Sequence, residues 1–310
     1  MNQNLFMSPY PHIKSCNSIQ KIMLNVIVSL IPAIIASAII FGLRSLLVIL
    51  TTVLSCVFSE YLSRKIMKKD NTINDLSAVV TGILLAFNLP VNIKFSIAIF
   101  GGIIAIVVTK QMFGGIGQNF VNPAICARII LMVSFPSAMS SWPKPYTHTI
   151  FPADMITSAT PLSKTASSHF SYLDLFLGNR PGCLGEVCAL ALILGGIYLI
   201  FKKIIAPVIP LCFVGTVFVL TFILGKDPIF SILSGGLLLG AIFMATDYVT
   251  SPITFKGKII FAIGCGIITV LIRIYGSLPE GASFAILLMN ILVPHIENLT
   301  LKKQKVKIKN

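Results

Sequence analysis

The sequence predicts an all-α integral membrane protein with about ten transmembrane helices, and composition is the first reason. Of its 310 residues, 55% are hydrophobic and only 11% are charged, with a mean hydropathy of +0.92. Soluble domains carry about 25% charged residues. The formal net charge is +14, but no basic stripe is interleaved with aromatic residues. We therefore expect a lipid bilayer as the surroundings and no nucleic-acid partner.

The second reason is a series of apolar runs long enough to cross a bilayer. A helix needs about 20 apolar residues to span the ~30 Å hydrocarbon core, and fewer where protein shelters its ends. The first run is too long for the hydrophobic region of a typical signal peptide, so it is interpreted as a retained span. The predicted spans are 24–43, 45–62, 75–90, 95–112, 123–138, 184–201, 205–224, 229–246, 258–274 and 281–297.

The third reason is the distribution of basic residues between the spans. Assigning the connecting segments alternately to two sides places 16 of the 24 Lys and Arg residues on the side of both termini and seven on the other, with Arg128 inside span five. Basic residues are retained on the cytoplasmic side of a membrane. Both termini are therefore predicted to be cytoplasmic, and the long loop at 139–183 to lie on the outer, periplasmic face.

The long loop also divides the chain into two halves of five spans each. Because five is odd, the second half enters the membrane with the opposite orientation, as in an inverted-topology repeat. The run 81–86 in span three is loosely echoed by 235–241 in span eight. The predicted segments are a cytoplasmic amino-terminal segment (1–23), a first half (24–138), an outer loop (139–183), a second half (184–297) and a basic cytoplasmic tail (298–310).

A glycine-rich stretch at 114–123 joins spans four and five. Its glycines break a helix, and Pro123 suits the first helical position of span five. Free N–H groups at a helix amino terminus can bind an anion or the edge of a flavin, while a plain turn with an asparagine cap is the alternative. No Gly-Lys-Ser/Thr follows, so the stretch is not a P-loop. The candidate binding residues are Gly115, Gly117, Asn119 and Asn122.

Four acidic residues lie next to predicted spans. Asp247 directly follows span eight and is the candidate for an ion pathway, because an acid at bilayer depth costs about 2.5–3.5 kcal/mol on insertion scales and needs a role. An interfacial position beside Thr and Ser is the alternative. Asp75, Glu186 and Glu280 precede spans three, six and ten, where the helix dipole favours an acidic cap.

The chain shows no spacing typical of a metal site or a catalytic triad, so we predict neither metal ligands nor catalytic residues. The seven cysteines lie mostly within apolar runs. They are interpreted as small core residues.

The outer loop contains the stretch 154–161, Asp-Met-Ile-Thr-Ser-Ala-Thr-Pro. Taken alone it is typical of a turn, since Ser and Thr beside Pro favour turns. Several prolines and the single tryptophan, Trp142, indicate an ordered cap on the membrane surface, with Trp142 as an interface anchor. The pattern Asp-x-x-Thr-Ser-Ala-Thr, however, resembles the flavinylation motif of two related membrane proteins, the D-type subunit of Rnf complexes and the B-type subunit of sodium-pumping NADH:quinone reductases.

The resemblance implies that Thr160 carries FMN through a phosphoester bond, with Asp154, Thr157, Ser158 and Ala159 forming the attachment motif. Ser158 stands where the family commonly has Gly. A threonine hydroxyl is a weak nucleophile without a base, and the loop supplies no convincing one, so attachment by a flavin transferase is expected. Blocks at 8–12, 114–123, 182–186, 244–252 and 280–290 are also similar to those of the family, in the same order across nearly the whole chain.

The resemblance therefore implies the D-type subunit of an Rnf-like complex in a bacterial inner membrane. Such a subunit would pass electrons between membrane, iron-sulfur and flavin partner subunits while the complex moves a cation, and would not be catalytic alone. A second, non-covalent flavin between the halves is also implied. The B-type subunit of the quinone reductase is the close alternative, although only about 23 residues precede the first span, which favours the D type. A transporter or channel without a redox role is the alternative of a different class.

Overall fold

The computed structural model describes residues 18–146, 171–276 and 281–301. The motif around Thr160 and the predicted cap Glu280 lie outside these ranges.

The described residues of the first half form six helices. They are α1 (Ile19–Phe41), α2 (Leu43–Ile66), α3 (Ser77–Phe87), α4 (Phe95–Ile103), α5 (Pro123–Ser134) and the short α6 (Pro136–Met139). A π-helical segment, Ile104–Gln111, continues α4.

The described residues from 171 onward form seven more α-helices, of which the first, α7, lies in the outer loop. They are α7 (Tyr172–Leu177), α8 (Ala189–Phe201), α9 (Val208–Ile223), α10 (Pro228–Leu233), α11 (Leu237–Leu239), α12 (Phe255–Tyr275) and α13 (Ala282–Thr300). A second π-helical segment, Gly240–Met244, continues α11.

The lengths and compositions of these helices confirm an all-α integral membrane protein. Within the described ranges, α1, α2, α12 and α13 are long and apolar enough to cross a bilayer alone. Shorter apolar helices occupy five of the other six predicted spans, all but span eight, and they include Ser77–Phe87 and Ala189–Phe201. Short spans are tolerated where neighbouring protein shelters their ends.

Local sequence explains where several helices begin and end. The Ser18 hydroxyl accepts a hydrogen bond from Lys21 N at the start of α1 (3.2 Å), as an N-cap residue does. Gly42 has φ +74° and separates α1 from α2, a conformation that costs glycine little. Thr254 caps α12 through Gly257 N at 3.1 Å.

The prediction of one continuous helix at 229–246, span eight, is wrong. α10 stops at Leu233, and α11 begins at Leu237 after Gly235, which has φ +68°. The Arg273 guanidinium, from α12, donates to the carbonyl oxygens of Ser231 (2.5 Å) and Ser234 (3.2 Å). A break at membrane depth is tolerated because these carbonyls are hydrogen-bonded by protein.

The two halves share an order of packing. In the first half α2 packs against α3 and α4, and in the second half α9 packs against α12 and α10. Between the halves, α1 packs against α8, and α5 packs against α13. The first helix of one half therefore contacts the first spanning helix of the other, and the fifth contacts the fifth. A two-fold relation between halves would produce this pairing, and the inverted repeat stays a prediction.

Trp142 does not anchor the protein at the lipid interface. Its side chain is only 9% exposed, so it packs within the protein rather than among lipid headgroups. Nearby, Tyr146 N donates to Ile40 O at 2.8 Å. The described start of the outer loop is thereby attached to the end of α1.

Candidate functional site

A cavity of about 110 Å³ lies between the two halves. Most of its wall is apolar, and its polar wall brings together residues that are far apart in the chain. The polar lining residues are Ser77, Thr81, Lys110, Asn119, Asn122, Thr246, Asp247 and Tyr248. Three of the predicted candidates, Asn119, Asn122 and Asp247, thus line one cavity.

Asn122 holds the two halves together at this cavity. Its Oδ1 accepts from Ala124 N (3.0 Å) and Ile125 N (3.3 Å) and caps α5, while its Nδ2 donates to Met244 O (3.4 Å). In the amide orientation that satisfies its neighbours, Asn290 accepts from Asn122 N (3.2 Å) and donates to Thr250 O (3.1 Å). The blocks 114–123, 244–252 and 280–290 therefore meet in one network.

Replacing Asn122 with alanine is expected to destabilise the protein by about 1–2 kcal/mol, because a lost N-cap alone costs about 0.5–2 kcal/mol and the bond to Met244 is lost as well. Thermal unfolding of the purified protein measures the change. Asn298→Ala, at an exposed position of α13, is the matched control and should leave the midpoint unchanged. Equal midpoints for both variants would contradict this role of Asn122.

The two candidate glycines shape the turn and do not line the cavity. Gly115 and Gly117 have φ +108° and +86°, a region that favours glycine. A Cβ on Gly115 would lie 2.6 Å from Arg64 Nη2, whereas one on Gly117 would meet nothing within 4 Å. Asn119 lines the cavity while its Nδ2 donates to Val121 O at 3.1 Å. The asparagines, and not the glycines, are therefore placed to contact a ligand.

Asp247 lies at the same cavity, just beyond the second π segment. Its Oδ2 accepts from the Thr250 hydroxyl at 3.2 Å, and Ser251 N donates to its backbone oxygen at 3.1 Å. No basic side chain of the described residues lies within ion-pair distance of it. The carboxylate is therefore available to a cation or a polar ligand in the cavity.

A buried ion pair that the sequence did not indicate lies beside the cavity. Glu60, in α2, is 0% exposed, and its Oε1 accepts from Lys110 Nζ and from Gln111 Nε2, each at 2.9 Å. Lys110 Nζ also donates to Ser77 Oγ at 2.6 Å. Lys110, which the charge count assigns to the side of both termini, lies in the π segment that continues α4 and points inward to Glu60.

Asp75 and Glu186 have different roles although both are predicted to cap helices. Asp75 Oδ1 accepts from Ser77 N at 3.1 Å at the start of α3, which confirms the first prediction. The prediction for Glu186 is wrong, because α8 begins only at Ala189 and has no side-chain cap bond. Its Oε1 instead accepts from Cys183 N at 3.1 Å.

The block 182–186 crosses the end of α3 and forms a second buried polar cluster. Gly185 N donates to Phe87 O at 3.0 Å, and a Cβ on Gly185 would overlap the Phe87 side chain, so only glycine fits. The Arg128 guanidinium, from α5, donates to Asn88 Oδ1 and, at 3.6 Å, to Cys183 Sγ. Cys183 is buried, and its Sγ donates to Asn88 O at 3.3 Å, in keeping with its predicted role as a core residue.

The last helix of the outer loop is attached to span eight. The Tyr172 hydroxyl, in α7, donates to Asp227 Oδ2, and Asp227 Oδ1 caps α10 by accepting from Ile229 N (3.0 Å) and Phe230 N (3.2 Å). The bond from Tyr172 lowers the pKa of Asp227, and the same bond to Asp227 raises the pKa of the Tyr172 phenol. The contact is therefore formed at neutral pH and is lost as the pH falls through the lowered pKa of Asp227.

Comparison with known proteins places the chain in a family. Residues 6–306 match the model of the NQR2, RnfD, RnfE family. The chain is 48% identical over 307 residues to the D subunit of the Na⁺-translocating ferredoxin:NAD⁺ oxidoreductase complex of Acetobacterium woodii, with 97% of this chain and 95% of the relative covered. It is 42% identical to the D subunit of the proton-translocating ferredoxin:NAD⁺ oxidoreductase complex of Clostridium ljungdahlii, covering 97% of this chain and 96% of the relative.

A third relative, the D subunit of the ion-translocating oxidoreductase complex of Stutzerimonas stutzeri, is 37% identical and covers 91% of each chain. Together with the match of the family model over nearly all residues, these similarities show that the chain belongs to the NQR2, RnfD, RnfE family.

Proposed function

We propose that this chain is the D subunit of an Rnf-type complex and passes electrons through an FMN joined to Thr160 by a phosphoester bond, while the complex moves a cation across the membrane. The observation that carries the proposal is full-length similarity to the D subunits of ion-translocating oxidoreductases together with the motif Asp-x-x-Thr-Ser-Ala-Thr at 154–160. When bound, FMN supplies one- and two-electron redox chemistry.

The proposed topology follows from the charge count. The protein lies in a bacterial inner membrane with both termini in the cytoplasm. Thr160 lies in the outer loop, on the periplasmic side. The partners are the other membrane, iron-sulfur and flavin subunits, together with a flavin transferase that reads the attachment motif. The threonine hydroxyl needs such an enzyme because it is a weak nucleophile without a base.

The experiment that tests the proposal is mass spectrometry of the tryptic peptide containing Thr160, from protein produced with and without a flavin transferase. We expect an added mass of FMN on Thr160 only when the transferase is present. An unmodified Thr160 in protein made with an active transferase would overturn the proposal, and would favour the transporter or channel alternative.

The cavity between the halves is the proposed site of a second, non-covalent flavin. Its donor set fits the group, since the amides of Asn119 and Asn122 could pair with the polar edge of an isoalloxazine ring, and the apolar side chains of Leu84 and Phe243 would lie against the ring. At about 110 Å³ it is smaller than most small-molecule sites, which have about 300–1,000 Å³. Tyr248, whose hydroxyl donates to Ile204 O, also lines this cavity.

Asp247 is the proposed ion-pathway residue. The relatives are named for Na⁺ and for protons, so the family does not by itself decide the ion. Replacing Asp247 with asparagine is expected to weaken cation entry by about tenfold, which corresponds to about 1.4 kcal/mol, because it removes the negative charge at the cavity.

Uptake of ²²Na⁺ and of protons into inverted vesicles, measured per electron transferred, tests the role of Asp247. Asp70→Asn, at an exposed position between α2 and α3, is the control and should transport normally. Unchanged ion uptake in the Asp247→Asn complex would exclude this residue from the pathway.

A further inference from the structure

A groove of about 280 Å³ opens on the outside of the protein between the start of α1 and the end of α8. It is lined by Lys21, Ile22, Leu24, Asn25, Lys202 and Ile204. Both lysines belong to the basic side of the charge count, and no acidic residue lines the groove within the described chain. Its lining therefore carries two positive charges.

Hydrogen bonds hold the polar end of the groove in place. The Tyr198 hydroxyl donates to Asn25 Oδ1 at 2.8 Å, and Asn25 Nδ2 donates to Lys21 O at 2.7 Å. The Lys202 ammonium lies 5.9 Å from the centroid of the Tyr198 ring, within reach of a cation–π contact. One connected set of side chains thus positions Lys202 next to the amino-terminal turn of α1.

The amino terminus of α1 adds to this positive field. Lys21 lies in the first turn of a 23-residue helix, where the helix dipole favours an anion. The groove is therefore suited to a compact anionic group such as a phosphate.

Below the polar end, the groove continues onto apolar helix faces. On α1, Leu24, Ile31 and Ile35 recur at helical spacing and are 49%, 42% and 54% exposed. On α8, Leu194 is 51% exposed and lies about two turns from Lys202. In a membrane protein, exposed apolar residues that lead away from a basic pocket at the cytoplasmic boundary provide a surface for acyl chains.

We propose that this groove binds one anionic phospholipid, with its phosphate between Lys21 and Lys202 and its acyl chains along α1 and α8. Lys21 lies in α1 and Lys202 directly follows α8, so the two lysines belong to helices of different halves. The lipid therefore bridges the halves at the contact of α1 with α8.

Native mass spectrometry of the full-length protein, released from nanodiscs of phosphatidylcholine with increasing phosphatidylglycerol, tests the proposal. We expect the wild type to retain one phosphatidylglycerol, and Lys21→Gln/Lys202→Gln to lose it, with an apparent affinity lower by about tenfold or more. Lys256→Gln/Lys258→Gln removes two charges at the start of α12, away from the groove, and should retain the lipid.

Lys21→Arg/Lys202→Arg keeps both charges and should bind as the wild type does, which separates loss of the site from loss of the fold. Equal phosphatidylglycerol retention by the wild type and the double glutamine variant would overturn the proposal. Equal losses in the groove variant and in the Lys256→Gln/Lys258→Gln control would also overturn it, because binding would then follow only the total charge.

Discussion

Replacing Thr160 with valine is expected to remove all covalently bound flavin from the polypeptide. Valine has nearly the shape of threonine but no hydroxyl, so no phosphoester bond can form at this position. After denaturing electrophoresis of protein made with a flavin transferase, the wild-type band should fluoresce and the variant band should not. Electron transfer by the assembled complex should fall to the background of a complex that lacks this protein.

Two further variants serve as controls for this experiment. Thr165→Val changes another threonine of the same loop, outside the motif, and should keep full fluorescence. Thr160→Ser keeps a hydroxyl and should retain part of the signal. Full fluorescence in the valine variant would place the flavin on another residue and refute the assignment of Thr160.

Replacing Lys110 with methionine should give the largest loss of stability among these variants. Breaking a buried ion pair from one side costs about 3–5 kcal/mol, because the remaining charge stays buried without its partner. Here the remaining charge is Glu60, which is 0% exposed. Titration of the purified protein with a denaturing detergent measures the loss as a lower unfolding midpoint.

A double variant distinguishes loss of the pair from loss of packing. Glu60→Gln/Lys110→Met removes both charges and should recover a large part of the stability lost by Lys110→Met, since replacing a whole buried pair is often close to neutral. Lys65→Met, at an exposed position of α2, should change little. Additive effects of the two single changes would show that Glu60 and Lys110 are not coupled.

The residues of the candidate site that could be predicted are those identified by their neighbours in the sequence. Asn122 was recognisable because it precedes Pro123 after a glycine-rich stretch, and Asp247 because an acid directly follows an apolar run. Glu60 gave no such signal, since an acid shortly before Arg64 and Lys65 is typical of a helix end at the membrane surface. Its partner Lys110 is 50 residues away and points inward because of a π segment.

The break in span eight was likewise not predictable from the sequence. Glycines inside an apolar run occur in intact membrane helices as well, so Gly235 and Gly236 alone do not indicate an interruption. The carbonyls freed at the break are satisfied by Arg273, about 40 residues later. Only the tertiary structure, which brings Arg273 of α12 to this region, supplies that partner.

Sequence alone determined the membrane class, the approximate spans, the family resemblance and the single hydroxyl, that of Thr160, proposed to carry a flavin. These conclusions depend on composition, periodicity and short motifs, which are local properties of a chain. Tertiary structure decided that three distant blocks meet at Asn122, that Lys110 pairs with Glu60, and that Lys21 and Lys202 share a groove. Such contacts depend on which helix faces pack together, because in the low-dielectric interior each buried polar group must find a partner from whichever helix lies beside it.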